Sequence, residues 1–240
     1  MRRLLVLSAM VVAALFATSS PAVAAKDVRC AGTLTGVTAR NVNVPAGAAC
    51  KLVNSTVRRS VKVRAGAYFQ ATGGRIRGHV QARNALTVFL EEGVRVRKNV
   101  ISRGTTEVFL FDSTITGKVH VSGATNRVYV CGNTVRGDIE VKRNRRNILV
   151  GDPLAADCRG NVVQRGNIEI MSNSTDVELV VRGNTVKRGN LQVVENVGPV
   201  EKFVQTNRGG GGLSCRGNGT PFVASGNTGW STTAGQCKTG

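Results

Sequence analysis

The chain has 240 residues, with 33 Lys and Arg against 14 Asp and Glu, for a formal charge of +19. Only 4% of residues are aromatic and 29 are Gly. The few acids form no Asp-rich calcium run, there is no GxSxG, Walker or dinucleotide fingerprint, and no apolar stretch has the length of an ordinary membrane span.

In chain order, Arg2 and Arg3 precede an apolar run from Leu4 to Phe16 and the small-residue stretch Ala22 to Ala25. Residues 1–25 therefore read as a secretory signal peptide cut after Ala24 or Ala25. Its removal takes two cations and no acid, so the mature charge is 33 − 2 − 14 = +17. Residues 26–50 are expected to form an N-terminal cap and first coil, 51–205 the body, and 206–240 a disulfide-stapled C-terminal coil and cap.

The body is a repeat. The phrase GNTVRGDIEV, Gly132 to Val141, returns with landmarks at Val37, Val57, Ile76, Val96, Ile115, Val135, Val163 and Val186, separated by 20, 19, 20, 19, 20, 28 and 23 residues. Every period carries a second apolar run of strand length, such as Leu86 to Leu90, Val108 to Phe111 and Ile148 to Val150, with no helical spacing. One such unit cannot bury its apolar face alone, so the units must stack. Within the phrase, Val135, Ile139 and Val141 alternate with polar residues and are expected to point inward. The Phe and Tyr of the strand runs read as core.

Two residues before the landmarks stand Ser55, Gly74, Val94, Ser113, Asn133, Asn161 and Asn184. Most are types that tolerate positive φ or hydrogen-bond along a stack of turns. By this period and turn chemistry, residues 37–205 resemble secreted bacterial right-handed parallel β-helix repeat proteins, the architecture of the pectate-lyase-like superfamily. The expected fold is all-β: a single-domain, right-handed parallel β-helix solenoid of about eight coils with capped ends. The resemblance implies, for an enzyme, an acidic cluster for calcium or hydrolysis with a basic residue in a groove, and no such set can be placed here.

All six cysteines follow the leader, and export with an even count favours disulfides. Stacking restricts contact to near neighbours in sequence, which selects Cys30 with Cys50, Cys131 with Cys158 and Cys215 with Cys237. The second pair brackets the one long excursion, GDPLAADCRG. No zinc spacing occurs, and neither metal nor cofactor is expected.

Stacking turns sequence columns into ladders rising about 4.8 Å per coil. The column after the landmarks reads Arg58, Arg77, Arg97, Thr116, Arg136, Gln164 and Lys187. Guanidinium groups at that repeat could grip successive phosphates or carboxylates, and Arg58, Arg77, Arg97, Arg136 and Lys187 are the candidate polymer-binding residues. The alternative is a solvated face. A second column reads Lys62, Gln81, Ile101, His120, Glu140, Glu169 and Gln192. There His120, Glu140 and Glu169 would be vertical neighbours, and two stacked carboxylates would raise one pKa, as acid-base glycoside chemistry uses. A neutralised polar ladder is the alternative.

The expected function is a secreted, extracellular or cell-wall-associated monomer that binds an anionic polysaccharide or other polyanion, such as nucleic acid, without catalysis. Two alternatives stand beside it: a polysaccharide lyase or glycoside hydrolase using Glu140, Glu169 and His120, and a self-assembling scaffold resembling bactofilins.

Overall fold

The computed structural model describes residues 25–155 and 158–238. The expected signal peptide, apart from Ala25, lies outside the described residues. Three parallel sheets run the length of the molecule, and each coil contributes one strand to each. Sheet I has 11 strands, from Val28–Arg29 to Thr232–Gly235, sheet II has 10, from Gly32–Thr35 to Phe222–Ser225, and sheet III has 9, from Thr38–Ala39 to Arg208–Gly209. The described residues contain no helix.

The fold is thus a parallel β-solenoid of about ten coils rather than eight. Counting by landmark fails at both ends. The sheet III column runs Ala39, Val57, Ile76, Val96, Ile115, Val135, Val163, Val186 and Gly209, so the first coil is marked by Ala39 and not Val37. The last landmark has no side chain to be recognised by. A Cβ on Gly209 would strike the ring of Trp230, which packs on the end of the core in its place.

Five inward columns build the interior, one from sheet III and two from each of the others. Sheet I contributes, for example, Val61, Val80, Val100, Val119, Ile139 and Ile168 in register, each fully buried. Burying these β-branched side chains is worth about 1.5–3 kcal/mol each and is the main driving force for stacking. Two polar residues enter the columns. Ser102 is satisfied by Thr105 Oγ1 at 2.6 Å, and Lys202 donates to the carbonyls of Gly198 and Val200 at 2.9 and 2.8 Å.

Each corner must turn the chain without wasting buried backbone donors, and each does so with a side-chain ladder. Between sheets II and III stand Asn133, Asn161, Asn184, Asn207 and Asn227, where each Oδ1 accepts the backbone N–H of the coil before. The hydrogen bonding expected of the landmark-minus-two column holds here, with Ser55 and Ser113 in the earlier coils, while the positive φ falls one residue earlier, at Asn54, Gly73, Asp112, Gly132 and Gly183. Two further ladders were not anticipated. Between sheets I and II run Asn144, Asn173, Asn196, Asn218 and Gln236. Between sheets III and I, Asn41, Ser60, His79 and Asn99 accept N–H groups of the following coil, as do Asp138, Asn167 and Asn190.

All three disulfides join the pairs expected from nearest-coil contact: Cys30–Cys50, Cys131–Cys158 and Cys215–Cys237. The first and third tie coils near the two ends, and the second holds the excursion against the outer face of sheet II. No helix among the described residues is long and apolar enough to cross a membrane.

Candidate polyanion surface

Sheet III strands are two residues long and bury only the landmark, so the residues on either side of it face outward. Arg58, Arg77, Arg97, Thr116, Arg136, Gln164 and Lys187 follow one another in the hydrogen-bonded register, each backbone N–H donating to the landmark carbonyl of the coil before. The five proposed cations are exposed. Arg75 and Arg95, each one residue before its landmark, pair directly across sheet III and share its outer face. Arg75, Arg77, Arg95 and Arg97 therefore form a two-by-two array, about 4.8 Å between strands and about 6.6 Å along each strand.

None of Arg58, Arg75, Arg77, Arg95, Arg97, Arg136 or Lys187 forms an ion pair with a carboxylate of the described residues. Between Arg58 and Arg103 the chain carries 11 Lys and Arg and only two acids, Glu91 and Glu92, a local balance of 11 − 2 = +9. Glu91 is engaged on sheet II, where Gln70 Nε2 and Thr72 Oγ1 both donate to its Oε1. The array extends over three coils; Thr116 then separates it from Arg136, and Gln164 separates Arg136 from Lys187. The longest unbroken run is Arg58, Arg77 and Arg97.

The second column also stacks in the expected register, His120 beside Glu140 and Glu140 beside Glu169. Its chemistry is another matter. Lys118 Nζ lies 2.9 Å from Glu140 Oε1, His120 Nδ1 lies 2.7 Å from Glu140 Oε2, and Lys142 Nζ sits between the carboxylates, 2.6 Å from Glu169 and 3.7 Å from Glu140. Burial pushes the Glu140 carboxyl up, but the hydrogen bonds from Lys118 and His120 and the charges of Lys118 and Lys142 outweigh it, leaving its pKa below the ordinary 4.5. The pairing was expected to raise a carboxyl into the range of a general acid, and at Glu140 the lysines reverse the sign. The cluster is built to hold a carboxylate ionised.

A depressed folded-state pKa gives stability that is complete above the unfolded value and disappears as pH falls through the folded one. The wild type should therefore lose urea resistance below about pH 4.5, and Glu140→Gln should start less stable at neutral pH and lose less on acidification. Parallel curves for the two proteins would show that the ion cluster contributes nothing.

The aromatic residues sit otherwise than expected. In sheet II, Val88, Leu90, Val108, Leu110, Val128 and Val130 fill the core, while Phe89, Phe109 and Tyr129 pair in register on the outside. Their ring centroids are 5.6 and 5.4 Å apart, edge to face, and the Arg127 guanidinium lies 5.4 Å from the centre of Phe109. Farther along the same outer face, Cys131, Leu149 and Val180 pack with Cys158 and Ala155 of the excursion. Arg182, bonded to Asp152 at 2.7 Å, pins that segment a second time. Among the described aromatic residues, Phe69 is the fully buried core member. Among the described residues no cluster of three or more His, Cys, Asp or Glu is arranged to hold a metal ion.

Fold and surface together define the class: a disulfide-tied parallel β-solenoid with a cationic face. Set against family models, curated proteins and solved structures, the chain has no match, so the class is carried by its geometry.

Proposed function

We propose that the protein is a secreted, non-catalytic binder of an anionic polysaccharide, which it grips along the outer face of sheet III. The observation that carries this reading is the register of Arg58, Arg75, Arg77, Arg95 and Arg97, five exposed guanidiniums on adjacent strands with no carboxylate paired to any of them. Like charges stacked on neighbouring strands oppose folding, so the array is worth keeping only if something anionic answers it. Bidentate guanidinium donation suits carboxylate, sulfate and phosphate oxygens repeated along an extended chain. The three disulfides support export to an oxidising compartment. The Lys118–Glu140–Lys142–Glu169 cluster needs no substrate to be satisfied, which favours binding over hydrolysis. The protein acts as a monomer in this reading, and sedimentation would report that directly.

Replacing Arg58, Arg77, Arg97 and Arg136 together by Gln keeps outward polarity, so circular dichroism should be unchanged while affinity for oligogalacturonate falls. The wild type should also lose affinity steeply with salt, and the variant less so; against nucleic acid, losing four phosphate contacts would lower the slope of log K on log salt by about 3. The control is a second quadruple variant at Arg143, Arg145, Arg216 and Lys238, exposed cations away from sheet III. Equal binding by both variants at every salt concentration would reduce the face to a solvated surface. Tighter binding of duplex DNA than of any polysaccharide would replace the partner.

A further inference from the structure

Sheet I carries a second concentration of positive charge, separate from sheet III. Lys62, Gln81 and Ile101 pair directly across three adjacent strands and point outward. Two residues further along, Arg83 pairs with Arg103, and Arg64 follows Val63, the register partner of Ala82, so that it stands in the same column. These two columns bound a groove of about 340 Å³ lined by Lys62, Arg64, Gln81, Arg83, Ile101 and Arg103. That volume lies at the lower end of the range for small-ligand sites.

None of the four cations forms an ion pair within the described residues. The same sheet shows what pairing looks like two coils on, where Lys118 and Lys142 each hold a glutamate within 2.9 Å. Protecting a sheet edge does not account for the groove. The strands Val61–Val63, Val80–Arg83 and Val100–Arg103 are hydrogen-bonded on both sides and have no free edge. Nor does local stability, since guanidiniums stacked at about 4.8 Å repel one another.

We propose that this groove is a binding site for a phosphate or sulfate ester group carried by a glycan. Three guanidiniums and an ammonium converging from two columns match a compact group with several charged oxygens better than a single carboxylate, which two donors saturate. Gln81 supplies an amide between the cations for a sugar hydroxyl, and Ile101 an apolar wall for the sugar ring. The groove contains no aromatic side chain on which a nucleobase could stack, so the glycan is favoured over single-stranded nucleic acid. The groove and the sheet III face share no residue, and neither proposal depends on the other.

The test uses the disulfide-bonded protein and the double variant Arg83→Gln/Arg103→Gln. Because the sheet III face is also proposed to take anions, calorimetry at low salt is done in the quadruple sheet III background, which should bind tripolyphosphate and a sulfated oligosaccharide, and adding the double variant to it should weaken both about tenfold or more. Without ligand, the variant should melt at the same or a higher temperature, because repulsion has been relieved. In the quadruple sheet III background, only the protein that keeps Arg83 and Arg103 should gain melting temperature from tripolyphosphate. Unchanged affinities in the double variant would overturn the site, and so would a lower melting temperature, which would give the arginines a structural role. In the quadruple sheet III variant, where that face no longer contributes, binding of the unsulfated oligosaccharide or of oligogalacturonate as tightly as the sulfated one would overturn the ester selectivity. Binding of tripolyphosphate alone, or of a single-stranded oligonucleotide in preference to the sulfated glycan, would overturn the glycan. The quadruple sheet III variant should keep its tripolyphosphate affinity, which separates failure of this inference from failure of the first.

Discussion

Replacing Asn184 by alanine is expected to cost about 3–5 kcal/mol, from unsatisfied buried polar groups at about 1–3 kcal/mol each. Asn184 is fully buried in the corner between sheets II and III. Its Oδ1 accepts from both the backbone and side-chain nitrogens of Asn161 at 2.9 Å, and its Nδ2 donates to the Val150 carbonyl at 2.6 Å and to Asn207 Oδ1 at 2.9 Å. Alanine removes all four bonds at once. The buried Asn161 N–H is then left without its side-chain acceptor. Serine should recover part of the loss, because in the same column Ser55 Oγ already accepts the Val37 N–H at 3.2 Å. Urea unfolding followed by far-ultraviolet circular dichroism measures the difference. A cost below about 1 kcal/mol for alanine would mean that the ladder decorates turns held by packing alone.

The second large effect is expected from Cys131→Ala with Cys158→Ala. Closing a loop whose ends are 27 residues apart is worth about 3.5 kcal/mol on the chain-entropy account, and that stabilisation should vanish. Cys131 and Cys158 also pack with Leu149 and Val180, so their loss should loosen the excursion from the outer face of sheet II. Cleavage by a nonspecific protease should become faster between residues 151 and 160, while the three sheets stay intact. The Arg182–Asp152 bond should slow that cleavage, and adding Asp152→Asn should accelerate it further. Resistance of the double alanine variant equal to that of the wild type would assign the clamp to Asp152 and the apolar contacts instead.

Stacking, strand period and cysteine pairing were all readable from the residues because one coil is a linear copy of the next. Once Val57, Ile76, Val96, Ile115, Val135, Val163 and Val186 are aligned, every other column follows by counting, including the vertical neighbours His120, Glu140 and Glu169. The same count, carried seven residues past the landmark, reaches Arg64, Arg83 and Arg103. The signal for the sheet I groove was therefore in the repeat, but only the stacked strands bring the two neighbouring columns together along one groove.

Three things were decided by tertiary structure alone. In Val88-Phe89-Leu90 and Val108-Phe109-Leu110 both alternating sets are apolar, so a period of two says which residues share a face but not which face is inside. The interior takes Phe69 in the column of Val88 but aliphatic residues in the coils that follow, and leaves Phe89, Phe109 and Tyr129 outside, shielded by one another and by Arg127. The charge state of Glu140 was decided by Lys118 and Lys142, whose side chains reach it from outside its own column. The corner ladder between sheets I and II keeps Asn from Asn144 to Asn218 and was open to the same counting, whereas the one between sheets III and I was hidden because its members change identity from Asn to Ser, His or Asp. What those side chains have in common is an acceptor atom placed opposite the backbone N–H of the neighbouring coil, a geometric property that exists only after the coils have stacked.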